Sequence, residues 1–167
     1  ASVRASLASL AEARLVRTNV AIAAETLFPE SLAERVAAEL TTPAGATPAA
    51  PLLALHGLVT AERSRQRAGR VAVYGVDARF FAFHGVETRA PNPGDVWLSP
   101  ELADELGVSG DDQLVVRVAK PTDVPLDTLH ASRDEAGRSV RLRYMGTLAP
   151  EEMGAFSLMP DQGAARA

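Results

Sequence analysis

The stretch Gly94–Val118, GDVWLSPELADELGVSGDDQLVVRV, constrains the fold more than any other part of the chain. Its local signals agree on strand, capped helix, tight turn and strand. Asp95–Leu98 is a short β-prone run. Ser99 is placed to accept a hydrogen bond from an orphan N–H of the following helix, and Pro100 suits the first helical position, where a missing N–H costs nothing. Glu101 lies in the first turn, where the helix dipole favours negative charge. Leu102, Ala103 and Leu106 share one helical face. Gly107 suits the left-handed residue that closes a helix, with Val108 packing back on Leu102 or Ala103. Gly110–Asp111 supplies the turn, and Leu114, Val116 and Val118 then alternate with Val115, Arg117 and Ala119 as in a strand. The unit is structural and contains no catalytic constellation.

Around this unit the chain alternates helical and extended patterns. Ala1–Arg14 is alanine-rich, with Leu7, Leu10, Ala11 and Arg14 at helical spacing. From Val16 the period changes to two: Val16, Thr18, Val20 and Ile22 against Arg17, Asn19, Ala21 and Ala23 predict a first strand. Pro29 then opens a helix to about Leu40, with Leu32, Ala33, Val36, Ala37 and Leu40 as its buried stripe. Thr41–Pro51, TTPAGATPAAP, is proline-broken and reads as a surface loop, a candidate boundary between two small lobes.

Pro51–Ala61 and Arg70–Gly75 are β-like, and the charged segment Glu62–Gly69 between them reads as a solvated hairpin tip. Asp77 is suited to cap a short helix, Ala78–Phe83, whose Phe80, Phe81 and Phe83 form either a core cluster or an exposed interaction face. Thr88–Pro93 loops into the central unit. Lys120–Arg138 is longer than the ~12–15 residues usual for loops in compact domains. Ser139–Leu148 resumes as a strand, with Val140, Leu142 and Tyr144 on one face, and pairs most simply with Leu114–Ala119. The tail Glu151–Ala167 shows no periodicity. The expected class is α+β: a mixed or antiparallel sheet with short packed helices.

Composition narrows the function. At 167 residues the chain can bury a core. A net charge of −4 argues against a non-specific nucleic-acid binder, which needs a basic excess to displace counterions. Arginine greatly outnumbers lysine, Lys120 being the single lysine; with the alanine, glycine and proline this reads as genome composition rather than a phosphate site. Without cysteine there is no disulfide, thiolate metal site or cysteine nucleophile. No run approaches the ~18 apolar residues of a membrane span. Ala1 is not an initiator methionine, so the chain is expected to be processed or cut from a larger one.

Candidate chemistry is sparse. His56, His84 and His130 lack ligand spacing. Asp111–Asp112, Asp134–Glu135 and Glu151–Glu152 are paired carboxylates in turn-like settings, expected to be solvated, whereas acid–base work needs a perturbing environment. No G-x-S-x-G or phosphate-loop pattern occurs. Trp97, in a strand beside the capped helix, is expected to pack. The residues predict no enzyme and no cofactor.

The ordered series GVDARFF (Gly75–Phe81), DVWLSPELADELGV (Asp95–Val108), RVAKP (Arg117–Pro121), VPLD (Val124–Asp127), SRDE (Ser132–Glu135) and FSLMPDQ (Phe156–Gln162) resembles the extracytoplasmic core domain of MacB/FtsX/LolE-class ABC transporter permeases. RLVRTNVAIAAETLF (Arg14–Phe28) is similar to the start of that domain, just after the first membrane helix. The resemblance covers nearly the whole chain and implies a fragment lying between the first and second membrane spans. It implies a non-catalytic role: carrying motion from a separate ATP-binding subunit outward, for export or extraction of lipoprotein, lipophilic or peptide cargo, or to a partner protein. The implied location is the cell membrane, with the domain facing a periplasm or the cell exterior. The implied partners are the permease's own transmembrane helices, an adaptor or cargo protein and a second copy, but no nucleic acid. Phe80, Phe81, Phe83, Lys120, Asp127 and Arg133 are the contact candidates. The unit at Val96–Val118 also looks like the repeat of a double-psi barrel, a recognition module of larger enzymes, but that barrel needs a second matching half and only one copy is legible. A stand-alone hydrolase would need a nucleophile and base that the sequence does not place.

Overall fold

The computed structural model describes residues 15–24, 26–42, 45–86, 90–118, 138–153 and 156–158. Among these, α1 (Ser31–Glu39) leads to a small antiparallel pair, β1 (Thr41–Thr42) and β2 (Gly45–Ala46). The hairpin β3 (Leu53–Ala61) and β4 (Arg67–Gly75) follows, then α2 (Ala78–His84), β5 (Asp95–Leu98), α3 (Pro100–Leu106), β6 (Gln113–Val118) and β7 (Arg138–Thr147). A 3-10 turn at Pro150–Glu152 follows β7. Five strands form one sheet in the order β4-β3-β6-β7-β5, all antiparallel except the parallel pair β5–β7. The architecture is α+β with a mixed sheet and short helices, as expected.

The central unit folds as its residues dictate. The Ser99 hydroxyl accepts from the Leu102 N–H at 3.3 Å, and Pro100 occupies the first turn of α3. Gly107 ends the helix at φ +58°, and the Gly107 and Val108 N–H groups return to the Asp104 and Ala103 carbonyls at 3.1 and 3.2 Å. A side chain at Gly107 would be strained in this left-handed conformation. β7 then inserts between the two ends of the unit, pairing with β6 on one side and β5 on the other. Asp95 lies opposite Arg143 in register, and Arg143 grips Asp95 Oδ1 through Nε at 3.0 Å and Nη2 at 2.8 Å. One residue further along, the ladder slips between Val96 and Trp97. The slip sets Trp97 beside Gly146, whose φ is +136° and where an added Cβ would meet the indole at 3.0 Å. Close stacking of the indole on bare backbone therefore requires glycine there.

Two apolar clusters result. The larger joins Val59 and Ala61 of β3, Ala68 and Val71 of β4, Leu98, Ala103, Leu106, Leu114, Val116 and Tyr144. It closes when α3 packs on β4 and the Ser64 hydroxyl donates to the Leu106 carbonyl. The smaller is built on Phe80, Phe81 and Met153, with Leu52, Val76, Leu148 and Phe156 packed around them.

Three local expectations require correction. Residues 16–23 form no strand: Leu15–Thr18 is a turn closed by a 2.8 Å bond from the Thr18 N–H to the Leu15 carbonyl, and Val20 and Ile22 are 79% and 63% exposed. Period-two alternation supplies a face but no partner, and the segment joins neither edge of the sheet. The helix after Pro29 begins at Ser31, and none of its stripe is buried; Leu40 is 52% exposed. Thr41–Pro51 is not wholly loop, since it holds β1 and β2. Residues 1–14, including the predicted first helix, lie outside the described residues. So do residues 119–137, most of the long connection.

Candidate functional site

Ionic and aromatic groups gather where α2 meets the N-terminal segment and α1. Asp77 caps α2, its Oδ1 accepting from the Arg79 N–H at 2.8 Å. The Arg79 guanidinium folds back on Asp77 Oδ2 through Nε at 2.8 Å and also through Nη2. It then reaches across to Glu30 Oε2 at 2.8 Å and Glu34 Oε1 at 3.4 Å, at the start of α1. Hydrogen bonding to Arg79 holds the Asp77 carboxyl below its ordinary range, and the same bond raises Arg79. The contribution of Asp77 is thus present above pH 3.8 and fades as acid protonates it. Its side chain is 41% exposed, so that contribution is small.

At the other end of α2 lies His84, 5% exposed. Its ring meets Phe80, Phe83 and Phe156 edge-on at centroid distances of 4.7, 4.9 and 5.5 Å. Nδ1 accepts from the Arg17 backbone N–H at 3.4 Å, and Nε2 is buried with no hydrogen-bond partner among the described residues. Gly85 closes the helix at φ +78°, and a Cβ there would meet the Arg17 guanidinium at 3.2 Å, so Arg17 lies across this end of α2. Between the two arginines opens a depression of about 500 Å³ lined by Arg17, Ala37, Pro48, Arg79, Ala82 and Phe83, among others.

The sequence-predicted residues divide clearly. Phe80 and Phe81, 6% and 3% exposed, point into the smaller core and offer no surface to a partner as the domain stands. Phe83 is half-buried and faces the depression. Lys120, Asp127 and Arg133 lie outside the described residues, as do His130 and the Asp134–Glu135 pair. His56 is exposed on β3 and far along the chain from buried His84; no metal-binding group of acidic, histidine or cysteine side chains occurs among the described residues.

Asp112 departs from the expected solvated pair. Asp111 is exposed, but Asp112 is 3% exposed. Asp112 Oδ2 accepts from the Ser109 N–H at 3.1 Å, and Oδ1 pairs with Arg63 Nε at 2.8 Å, tying the turn before β6 to the tip of the β3–β4 hairpin. Replacing Asp112 with alanine leaves the Ser109 N–H unsatisfied and should cost about 2 kcal/mol in urea unfolding. Arg63→Ala should cost less than about 1 kcal/mol, because that side chain is 67% exposed and water replaces it. Equal losses would show that the ion pair, and not the backbone bond, stabilises the turn.

The buried settings of Asp112 and His84 and the reach of Arg79 are not legible locally, because their partners Arg63, Arg17 and Glu30 lie at separations no local pattern marks. The Asp77 cap was legible, since a cap is local. No helix among the described residues is long and apolar enough to cross a membrane. No protein-family model matches the chain, and no curated protein matches it.

Proposed function

We propose that this chain is a non-catalytic extracytoplasmic domain of a MacB/FtsX-type ABC transporter permease, passing ATP-driven motion to export or extraction of lipoprotein, lipophilic or peptide cargo, or to a partner protein. The observation that carries the reading is mechanical. A tightly packed sheet lobe, braced by the capped helices α2 and α3, meets an N-terminal side with no buried residue in α1. Exposed ion pairs from Arg79 to Glu30 and Glu34 help hold α1 to the lobe. Exposed pairs are weak and reversible, so α1 can shift against the lobe without unfolding it. The ordered sequence resemblance supports the same reading, because the Asp77-capped helix and the Gly94–Val118 unit are two of its pieces.

The double-psi-barrel alternative draws on β7 lying between the two ends of the β5–α3–β6 unit. It needs a second such unit, and β3 and β4 are instead joined by a plain hairpin tip.

The absence of cysteine makes a direct test available. Asp111→Cys, at an exposed turn, is introduced into the natural polypeptide carrying this chain, with other cysteines replaced. The polypeptide should sediment with membranes, react in intact spheroplasts with a membrane-impermeant maleimide, and co-purify with an ATP-hydrolysing subunit. A soluble polypeptide labelled only after lysis would sink the permease reading and favour the barrel module.

A further inference from the structure

His84 is a buried titratable group that neither the sheet nor the Arg79 network uses. Its acceptor role toward the Arg17 N–H requires a neutral ring with the proton on Nε2. That bond joins residues 67 positions apart and attaches the Leu15–Thr18 turn to the end of α2. Protonation would place a second proton on Nδ1, turning the acceptor into a donor that faces another donor. It would also set an imidazolium beside the Arg17 guanidinium, within a ring of phenyl groups.

We propose that His84 is a pH-sensitive latch: neutral, it holds the Leu15–Thr18 turn against α2, and protonated, it releases that turn while the sheet stays folded. The inference goes beyond the proposed function and does not rest on it.

The charges around the ring favour the neutral form. Burial is the main cause that lowers its pKa from 6.5, and Arg17 adds to it. Arg79, at the far end of α2, is committed to three carboxylates. Neither Arg79 nor Glu152, beside Met153, adds to the shift. Arg17, the charged group that acts on the ring, disfavours an imidazolium. The sign follows from linkage. Releasing the turn removes the Arg17 charge and part of the burial, so the ring binds a proton more readily in the released state than in the docked one. Docking is therefore at full strength well above pH 6.5 and weakens as pH falls through and below that value.

The test is a nuclear magnetic resonance titration of the isotopically labelled chain from pH 8 to pH 5. Ring carbon shifts report His84, while amide shifts and heteronuclear NOEs report residues 15–18. The Arg17 amide should move with the same midpoint as the ring. The NOEs of residues 15–18 should drop to those of a free segment, with β3 and β6 amides unchanged. In His84→Asn the carboxamide oxygen can still accept from Arg17 without titrating, so the Arg17 amide should stay fixed across the range. If that variant fails to fold, the wild-type titration alone decides. An Arg17 amide that ignores the ring's titration would overturn the latch, as would release already complete at pH 8. So would equal release in the asparagine variant, or loss of the β3 and β6 signals together with those of the turn.

Discussion

Leu114→Ala should lower the unfolding free energy by about 3 kcal/mol. Leu114 is 0% exposed on β6, between Ala61 of β3 and Leu142 of β7 in register, and lies in the same cluster as Leu106 and Val59. Truncation removes an isopropyl group at the centre of a sheet whose neighbours are held by backbone ladders on both sides. The void therefore cannot collapse, and the cavity adds to the lost transfer free energy. A domain of this kind has about 5–15 kcal/mol in all, so the variant loses a large fraction of its stability. Urea unfolding should show a lower midpoint with an unchanged slope. Leu114→Met keeps the volume and should cost less than about 1.5 kcal/mol. A loss below about 1 kcal/mol for the alanine variant would mean that β6 is not central to the core.

Phe81→Ala should cost a comparable amount, about 3–5 kcal/mol in a site that cannot relax, but its effect should be distributed differently. Phe81 is 3% exposed and belongs to the smaller cluster with Phe80 and Met153. α2 spans only Ala78–His84, too short to persist without tertiary packing. Removing the ring should therefore loosen α2, the Leu52 segment and the Met153–Phe156 segment before it disturbs β3 and β6. Hydrogen exchange resolves the difference: protection should fall in and around α2 and remain high in the central strands. Uniform loss across the whole sheet would show that the two clusters unfold as one unit. Phe83→Ala, at the half-buried rim of the depression, should cost less than about 1 kcal/mol and so can probe partner contact without unfolding the domain.

Separate clusters also explain how the three phenylalanines of α2 divide. Two residues apart, Phe81 and Phe83 lie on nearly opposite sides of the helix, with Phe80 between them. Phe80 and Phe81 face Met153 and Phe156, which leaves Phe83 toward Arg17 and Ala37. The aromatic richness of the segment left core and interaction face both open, and the division between core and rim depended on which elements pack over it.

What the sequence determined by itself was the local chemistry. Ser99, Pro100, Gly107 and Asp77 act on groups within a few residues of themselves, so capping and termination are written in short stretches of chain. Alternation at Leu114–Val118 and Val140–Tyr144 likewise announced two strands whose apolar faces had to meet. Tertiary structure decided everything that required a distant partner. The alternation at Val16–Ala23 is no weaker than that of β6, yet it formed no strand, because alternation alone supplies no partner and the segment pairs with neither edge strand, β4 or β5. The helical stripe of α1 stayed half-exposed, whereas Ala103 and Leu106 of α3 went into the core of the sheet. Asp112, one of two adjacent aspartates in a turn, became buried because the β3–β4 tip brought Arg63 to it. His84 became buried because α2 turned it among phenyl rings and beneath the Arg17 turn. Burial and pairing are properties of the assembled chain, since they depend on which surfaces exclude water together, and that is settled only when elements far apart in sequence pack.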